Sequence, residues 1–106
     1  MKGIPTKTLP GFLIIGTVFN ENAMAWPGIE VKIRRKTEKK YRWEAYTNSR
    51  GEFAVRVPEG PEYEVLVKAK KYQDNVVTVN STNGDNQQRV SVKMVPNATG
   101  KNGAKP

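Results

Sequence analysis

The sequence predicts an all-β protein, a seven-stranded two-sheet antiparallel β-sandwich. Three observations carry this. Short runs in which apolar and polar residues alternate recur from Phe12 to Met94, the period of a half-buried strand. Clusters of Gly, Pro, Asn and Asp separate those runs at the short spacing of sandwich turns. No stretch repeats apolar residues at helical spacing. The pattern is clearest from Thr47 to Tyr63. A polar turn ends in Gly51, Phe53, Val55 and Val57 alternate with Glu52, Ala54 and Arg56, Pro58 stops the strand, and Gly60 opens a tight turn before the next run.

The elements follow in order. Phe12 to Phe19 is the first strand, with Leu13, Ile14, Ile15 and Val18 available for the core. Gly16 inside it marks a bulge or a close backbone approach. Asn20 to Gly28 is a loop closed by Trp26-Pro27-Gly28. The second strand, Ile29 to Arg35, sets Ile29, Val31 and Ile33 against Glu30, Lys32 and Arg34. After a tip at Thr37-Glu38-Lys39, the third strand runs from Tyr41 to Thr47, with Tyr41, Trp43 and Ala45 inward and Tyr46 outward. Beyond the central stretch, Tyr63, Val65, Val67 and Ala69 alternate with polar residues and Leu66. Val76 to Asn80 is a short strand, Asn83-Gly84 a turn, and Val90, Val92 and Met94 form the inward set of the last strand. Gly28, Asn48, Gly51, Gly60 and Gly84 are the structural turn positions. The expected organisation is a flexible segment 1–10, one sandwich domain 11–96 and a disordered polar tail 97–106.

Composition narrows the chemistry. The chain of 106 residues has no cysteine and no histidine. That removes disulfides, thiolate metal sites, the usual general base and the commonest transition-metal ligand. No apolar run reaches membrane-spanning length. A signal peptide ahead of Met1 remains compatible with the sequence. Asn80-Ser81-Thr82 and Asn97-Ala98-Thr99 are sequons that matter only in a eukaryotic secretory pathway.

Five motifs in succession resemble the carboxypeptidase regulatory-like domains, which share the transthyretin-like (prealbumin-like) sandwich. Ile14-x-Gly16-x-Val18 resembles the opening strand, and Pro27-Gly28 with the strand after it resembles the next motif. Thr47-Asn48-Ser49-Arg50-Gly51-Glu52-Phe53 resembles a Thr-Asp-x-x-Gly-x-Phe turn, with Asn48 where aspartate is commoner. Pro58-x-Gly60-x-x-Tyr63 and Ala69-Lys70-Lys71-Tyr72 resemble the last two. In the latter Lys71 replaces a glycine, although lysine disfavours positive φ. PEGA-type envelope domains compete, because Pro58-Glu59-Gly60 suits them too, but their opening half is shorter. The resemblance implies a non-catalytic accessory or binding module, an Ig-like Greek key, extracytoplasmic (periplasmic, surface or secreted) as part of a longer precursor. The family's enzymatic relatives, the hydroxyisourate hydrolases, rely on histidines and a closing Tyr-Arg-Gly-Ser, both missing here.

The remaining constellations have plainer readings. Ser49 and Ser81 have no base beside them in the sequence. Glu62 and Glu64 share one strand face, where carboxylates are usually solvated. Asn83, Asp85 and Asn86 supply one carboxylate, too few for a strong calcium site, and read as an Asx turn. A Lys–Asn isopeptide crosslink lacks its lysine in the first strand and its asparagine in the last. Tyr46 and Leu66, both outward, would centre a contact patch if they were neighbours. No metal or cofactor is expected, and the chain reads as a monomer.

Charge is concentrated. Of the net +8, the segment Lys32–Arg42 carries +6: Lys32, Arg34, Arg35, Lys36, Lys39, Lys40 and Arg42 against Glu38 alone. If the hairpin pairs symmetrically about Glu38, Lys32 faces Glu44 and Arg34 faces Arg42, one attractive and one repulsive pair. These seven cations, with Tyr46, are the candidate interaction surface. Its partner would be another protein or an acidic glycan or polyanion. Nucleic acid is a weaker candidate, since no exposed aromatic row offers a stacking platform. A solvated edge or a structural spacer is the plain alternative.

Overall fold

The computed structural model describes residues 11–81 and 86–97. The segment 1–10 and, of the tail 97–106 expected to be disordered, residues 98–106 lie outside the described residues, as do Asn83, Gly84 and Asp85, while Asn97 N–H donates to Lys71 O. Seven strands form: β1 Gly11–Phe19, β2 Glu30–Arg35, β3 Trp43–Tyr46, β4 Glu52–Pro58, β5 Glu62–Lys68, β6 Asn75–Asn80 and β7 Gln87–Lys93. They make a three-stranded sheet in the order β4-β1-β7 and a four-stranded sheet in the order β3-β2-β5-β6. Only β2–β3 and β5–β6 connect neighbours in one sheet, so the other links cross the core. The β1–β7 pair runs parallel while every other pair is antiparallel, which the expectation of a wholly antiparallel sandwich missed.

The alternation that predicted the strands also predicts the core. Phe12, Ile14 and Val18 of β1, with Phe53 and Val57 of β4 and Val90 and Val92 of β7 in the same sheet, are buried in one cluster with Val31 and Ile33 of β2, Tyr63, Val65 and Val67 of β5, Val79 of β6, and Met94. Gly16 belongs to that inward set. Its register with Phe53 is unbroken, so there is no bulge. A Cβ there would overlap the Phe53 ring and come 2.8 Å from Val90 Cγ2. The close approach is to side chains, and glycine makes room for them.

Two expectations need correction. Leu13 and Ile15 do not enter the core. Strand parity puts them on the outer face of the small sheet, opposite Arg56 and Ala54 on β4 and Gln87 and Arg89 on β7. β3 is shorter than Tyr41–Thr47. The ladder with β2 ends at Ile33–Trp43, beyond which the chain turns to bring Glu38 to Arg42. At the other end the Thr47 hydroxyl leaves the strand to bind loop backbone. Trp43 points inward as predicted, but on an edge strand it is only half-buried, packed edge-on against Tyr63 at 5.6 Å.

Strand direction gives the sandwich two ends. The hairpin end gathers the β2–β3 connection, the β4–β5 turn and the start of β7. The loop end gathers residues 20–28, 47–51, 69–74 and 94–97.

Candidate interaction surfaces

The predicted hairpin register is the observed one, with Lys32 opposite Glu44. The predicted Arg34–Arg42 repulsion does not develop, because each arginine finds a carboxylate. Arg34 donates from Nε at 3.0 Å and from a terminal nitrogen at 2.6 Å to Glu64 Oε1 on β5. That hydrogen bond pushes the guanidinium pKa further up. Arg42 Nε donates to Glu38 Oε1 at 2.8 Å, and Arg35 approaches the same oxygen at 3.7 Å. The Arg42 hydrogen bond, and after it the nearby charges, hold the Glu38 carboxyl below its usual range. Lys32 lies 3.6 Å from Glu30 and 3.9 Å from Glu44, and Lys36 lies 3.6 Å from Glu62. Arg34 also stacks over Tyr41 and Arg35 over Trp43, 5.2 and 5.5 Å from the ring centroids.

Five of the seven cations thus meet five carboxylates, four of which the sequence places outside the segment Lys32–Arg42. Among the described residues only Lys39 and Lys40 of the seven have no ion pair. Most of these bridges are solvent-facing and each is worth at most about 1 kcal/mol. Together they neutralise the face that was to meet a partner. Tyr46 is exposed but not part of a patch with Leu66. The strand β2 separates them, and Leu66 is buried between Lys32 and Val76 in the register.

The carboxylates and hydroxyls considered for chemistry have structural partners. Glu62 and Glu64 hold Lys36 and Arg34. The buried Ser81 hydroxyl accepts from Gly60 N–H at 2.9 Å and donates to Pro61 O at 2.6 Å, pinning the β4–β5 turn. Among the described residues no three His, Cys, Asp or Glu side chains gather to hold a metal ion. Of the segment read as an Asx turn, Asn83 and Asp85 lie outside the described residues.

Of the five turn positions Gly84 lies outside the described residues. Gly28, Gly51 and Gly60 have φ of +74°, +72° and +122°. Asn48 Oδ1 accepts from the backbone N–H groups of Arg50 and Glu52 at 2.9 and 3.0 Å, the Asx turn its side chain favours.

The loop end holds what sequence reasoning missed. Asn20 closes a five-residue tip. Its side chain accepts from Asn22 and Met24 N–H, and its own N–H donates to Met24 O at 2.9 Å. From there the backbone pairs outward in series. Ala25 bridges Phe19, Met94 N–H donates to Phe19 O, and Gln73 N–H donates to Val95 O. The Tyr72 hydroxyl donates to Glu21 Oε1 at 2.6 Å, and its ring meets Trp26 edge-on at 4.8 Å. This contact lowers the Glu21 pKa and raises that of Tyr72. Among the described residues two non-glycine residues have left-handed backbone, Ala23 at +62° and Lys71 at +70°, and both are here. The one sequence signal was Lys71 itself, lysine at a position the family pattern gives to glycine.

These observations define a β-sandwich domain whose surface, not its interior, carries the functional candidates. No protein-family model matches the sequence, and no curated protein matches it. Solved structures do. Catechol 1,2-dioxygenase from Acinetobacter sp. ADP1 is similar over 92% of the chain with a TM-score of 0.68 and 10% identity, the match covering 56% of that enzyme. 3-Chlorocatechol 1,2-dioxygenase from Rhodococcus opacus 1CP is similar over 83% of the chain (TM-score 0.60, 8% identity), covering 60% of it. BcpA, the major pilin subunit of Bacillus cereus, is similar over 83% of the chain (TM-score 0.69, 13% identity), covering 31% of that subunit. The chain therefore spans little more than half the length of the dioxygenases. At such identities the likeness is one of fold, and fold does not assign function.

Proposed function

We propose that the chain is a non-catalytic binding or accessory module of a longer envelope or secreted protein, a transthyretin-like sandwich of the carboxypeptidase regulatory-like kind. What supports this reading is the backbone at four of the five motifs. Gly28, Gly51 and Gly60 all have positive φ, and so does Lys71, standing where the family pattern has glycine. A turn that keeps its geometry against the preference of its residue is a turn the fold requires. PEGA domains share only the central part of that pattern. In the pilin subunit a sandwich of this shape is one part of a longer chain, as proposed here. The absence of histidine and cysteine from the sequence, with Ser81, Glu62 and Glu64 engaged structurally, favours binding over catalysis.

The test is a replacement in the native gene of the segment 11–97 by an unrelated β-sandwich of similar size. A binding module loses its complex in the native extract while the remainder of the protein stays stable. Full retention of the complex and the phenotype would make the segment a spacer, and recovery of the native chain from the cytoplasm would remove the extracytoplasmic placement. A second reading, polyanion binding through the hairpin tip, rests on Lys39 and Lys40. It predicts salt-dependent heparin retention that Lys39→Glu/Lys40→Glu abolishes. Reversing Arg34 is a poor test, because it would set a second carboxylate against Glu64.

A further inference from the structure

Four observations converge on the loop end. Both left-handed non-glycine residues, Ala23 and Lys71, are there, and such strain concentrates at functional sites. The four large hydrophobic residues most exposed among the described ones all lie toward this end. Met24 (62% exposed) is on the Asn20 tip, Tyr46 (62%) ends β3, Val76 (51%) begins β6 and Val95 (50%) follows β7. The cations here are not neutralised as they are at the hairpin. Lys68, Lys70, Lys71 and Lys93 have no ion pair among the described residues, and Arg50 alone bridges a carboxylate, Glu52. Finally, the segments bearing these side chains are held rigidly. Residues 24–26, 18–20, 93–97 and 71–73 are hydrogen-bonded side by side, with Tyr72 tied to Glu21 and packed on Trp26. A pre-ordered surface loses little entropy on binding.

Resting on the module reading above, we propose that this end is the docking surface, and that it takes an acidic polypeptide segment bearing apolar side chains. Lys70, Lys71 and Lys93 supply the charge complementarity. Met24 and Val95 supply apolar contact, and the unbranched thioether of Met24 adapts to more than one side chain. An anionic glycan would answer the lysines but would leave Met24 and Val95 without a counterpart, so a peptide fits better. Lys71 serves both ends of the argument. Its cation faces the partner, and its backbone accepts a conformation that glycine would hold with less strain.

The experiment uses the whole chain and a fluorescein-labelled peptide of repeating Glu-Asp-Leu, with an all-glutamate peptide of equal length and heparin as comparisons. Fluorescence anisotropy gives the affinities. Binding of the leucine-containing peptide should be tighter than that of the all-glutamate peptide, and Lys70→Glu/Lys93→Glu should weaken it by about tenfold. Met24→Ser should weaken the leucine-containing peptide alone. Lys71→Gly separates docking from folding: it should raise Tm yet weaken binding, a combination that unfolding does not produce. Lys39→Glu/Lys40→Glu, at the opposite end, should leave affinity within about twofold. Equal loss from the hairpin reversal, or equal binding of both peptides and heparin regardless of Met24, would make this a general polyanion attraction and overturn the proposal. No binding of the leucine-containing peptide would also overturn it, while a complex lost on segment replacement would leave the module reading standing.

Discussion

The two ends of the sandwich solve the same problem in opposite ways. Each must close turns over an apolar core and carry an excess of positive charge. At the hairpin end the charge is matched within the sheet. β2 is central, so Lys32 and Arg34 have a neighbour on each side, and β3 and β5 provide Glu44 and Glu64. At the loop end Lys70 and Lys71 lie beyond β5, Lys68 and Lys93 are the last residues of their strands, and Glu30, opposite Lys68 in the register, pairs with Lys32 instead. The difference in turns runs the same way. The hairpin end uses Gly60 at φ +122° with open space around it, whereas the loop end packs Gly51 against the Trp26 backbone and holds Ala23 and Lys71 in conformations they disfavour. The lesson is that a cationic run in sequence marks a partner only if the sheet leaves it unpaired.

Gly51→Ala should show the largest effect. A Cβ there would stand 2.7 Å from Trp26 N, backbone that cannot move aside, and φ +72° adds its own penalty. The expected loss is about 2–5 kcal/mol. Gly60→Ala, with no atom within 4 Å of the new Cβ, should cost only the backbone term, about 1–3 kcal/mol. Equal losses in urea unfolding would show that the loop end is no more tightly packed than the hairpin end.

Each end also has a buried Ser or Thr hydroxyl as a staple. Thr47 accepts from Ile29 N–H at 2.8 Å and donates to Trp26 O at 2.7 Å. Thr47→Val orphans both beneath the loops and should cost about 2–3 kcal/mol. Ser81→Ala should cost about 1–2 kcal/mol, because the exposed Gly60 turn admits water in its place. A reversed order would place the weaker closure at the loops.

Lys71→Gly should stabilise by about 1 kcal/mol, the relief of a left-handed residue less the greater entropy glycine loses on folding. No gain in the urea midpoint would mean that the backbone strain is compensated by contacts of the Lys71 side chain.

The smallest effect is that of acid. The folded pKa of Glu38 lies below its ordinary value of 4.5 through Arg42 and then Arg35, and that of Glu21 through Tyr72. A depressed carboxyl contributes stability that is full above its ordinary pKa and is lost as pH falls through the folded one. Stability should therefore decline as pH falls below the ordinary carboxyl range and through the lower folded pKa values of these two groups. Glu38→Gln should flatten that decline at the hairpin end, and Tyr72→Phe at the loop end. An unchanged slope of Tm against pH in both variants would assign the acid sensitivity to the other carboxylates.

Legible in the sequence were the strands, the inward faces of β2, β4, β5 and β7, the turns at Gly28, Gly51 and Gly60, and the symmetric hairpin register about Glu38. These are local properties. Alternation follows from the pleat, positive φ from the missing Cβ, and hairpin register from the turn it closes. The sequence also placed Trp43 and Tyr63 on the same side of the chain. Only the tertiary structure decided that Leu13 and Ile15 face outward, because a row of apolar residues does not say which parity meets the second sheet. It alone decided that β1 and β7 pair in parallel, a contact between strands far apart in the chain. It likewise decided which cations are matched. Arg34 meets Glu64 because β5, not β3, supplies the carboxylate beside it, and thirty positions of chain separate the two. The loop end was illegible for the same reason: Glu21, Met24, Tyr72 and Val95 become neighbours only when the sandwich closes.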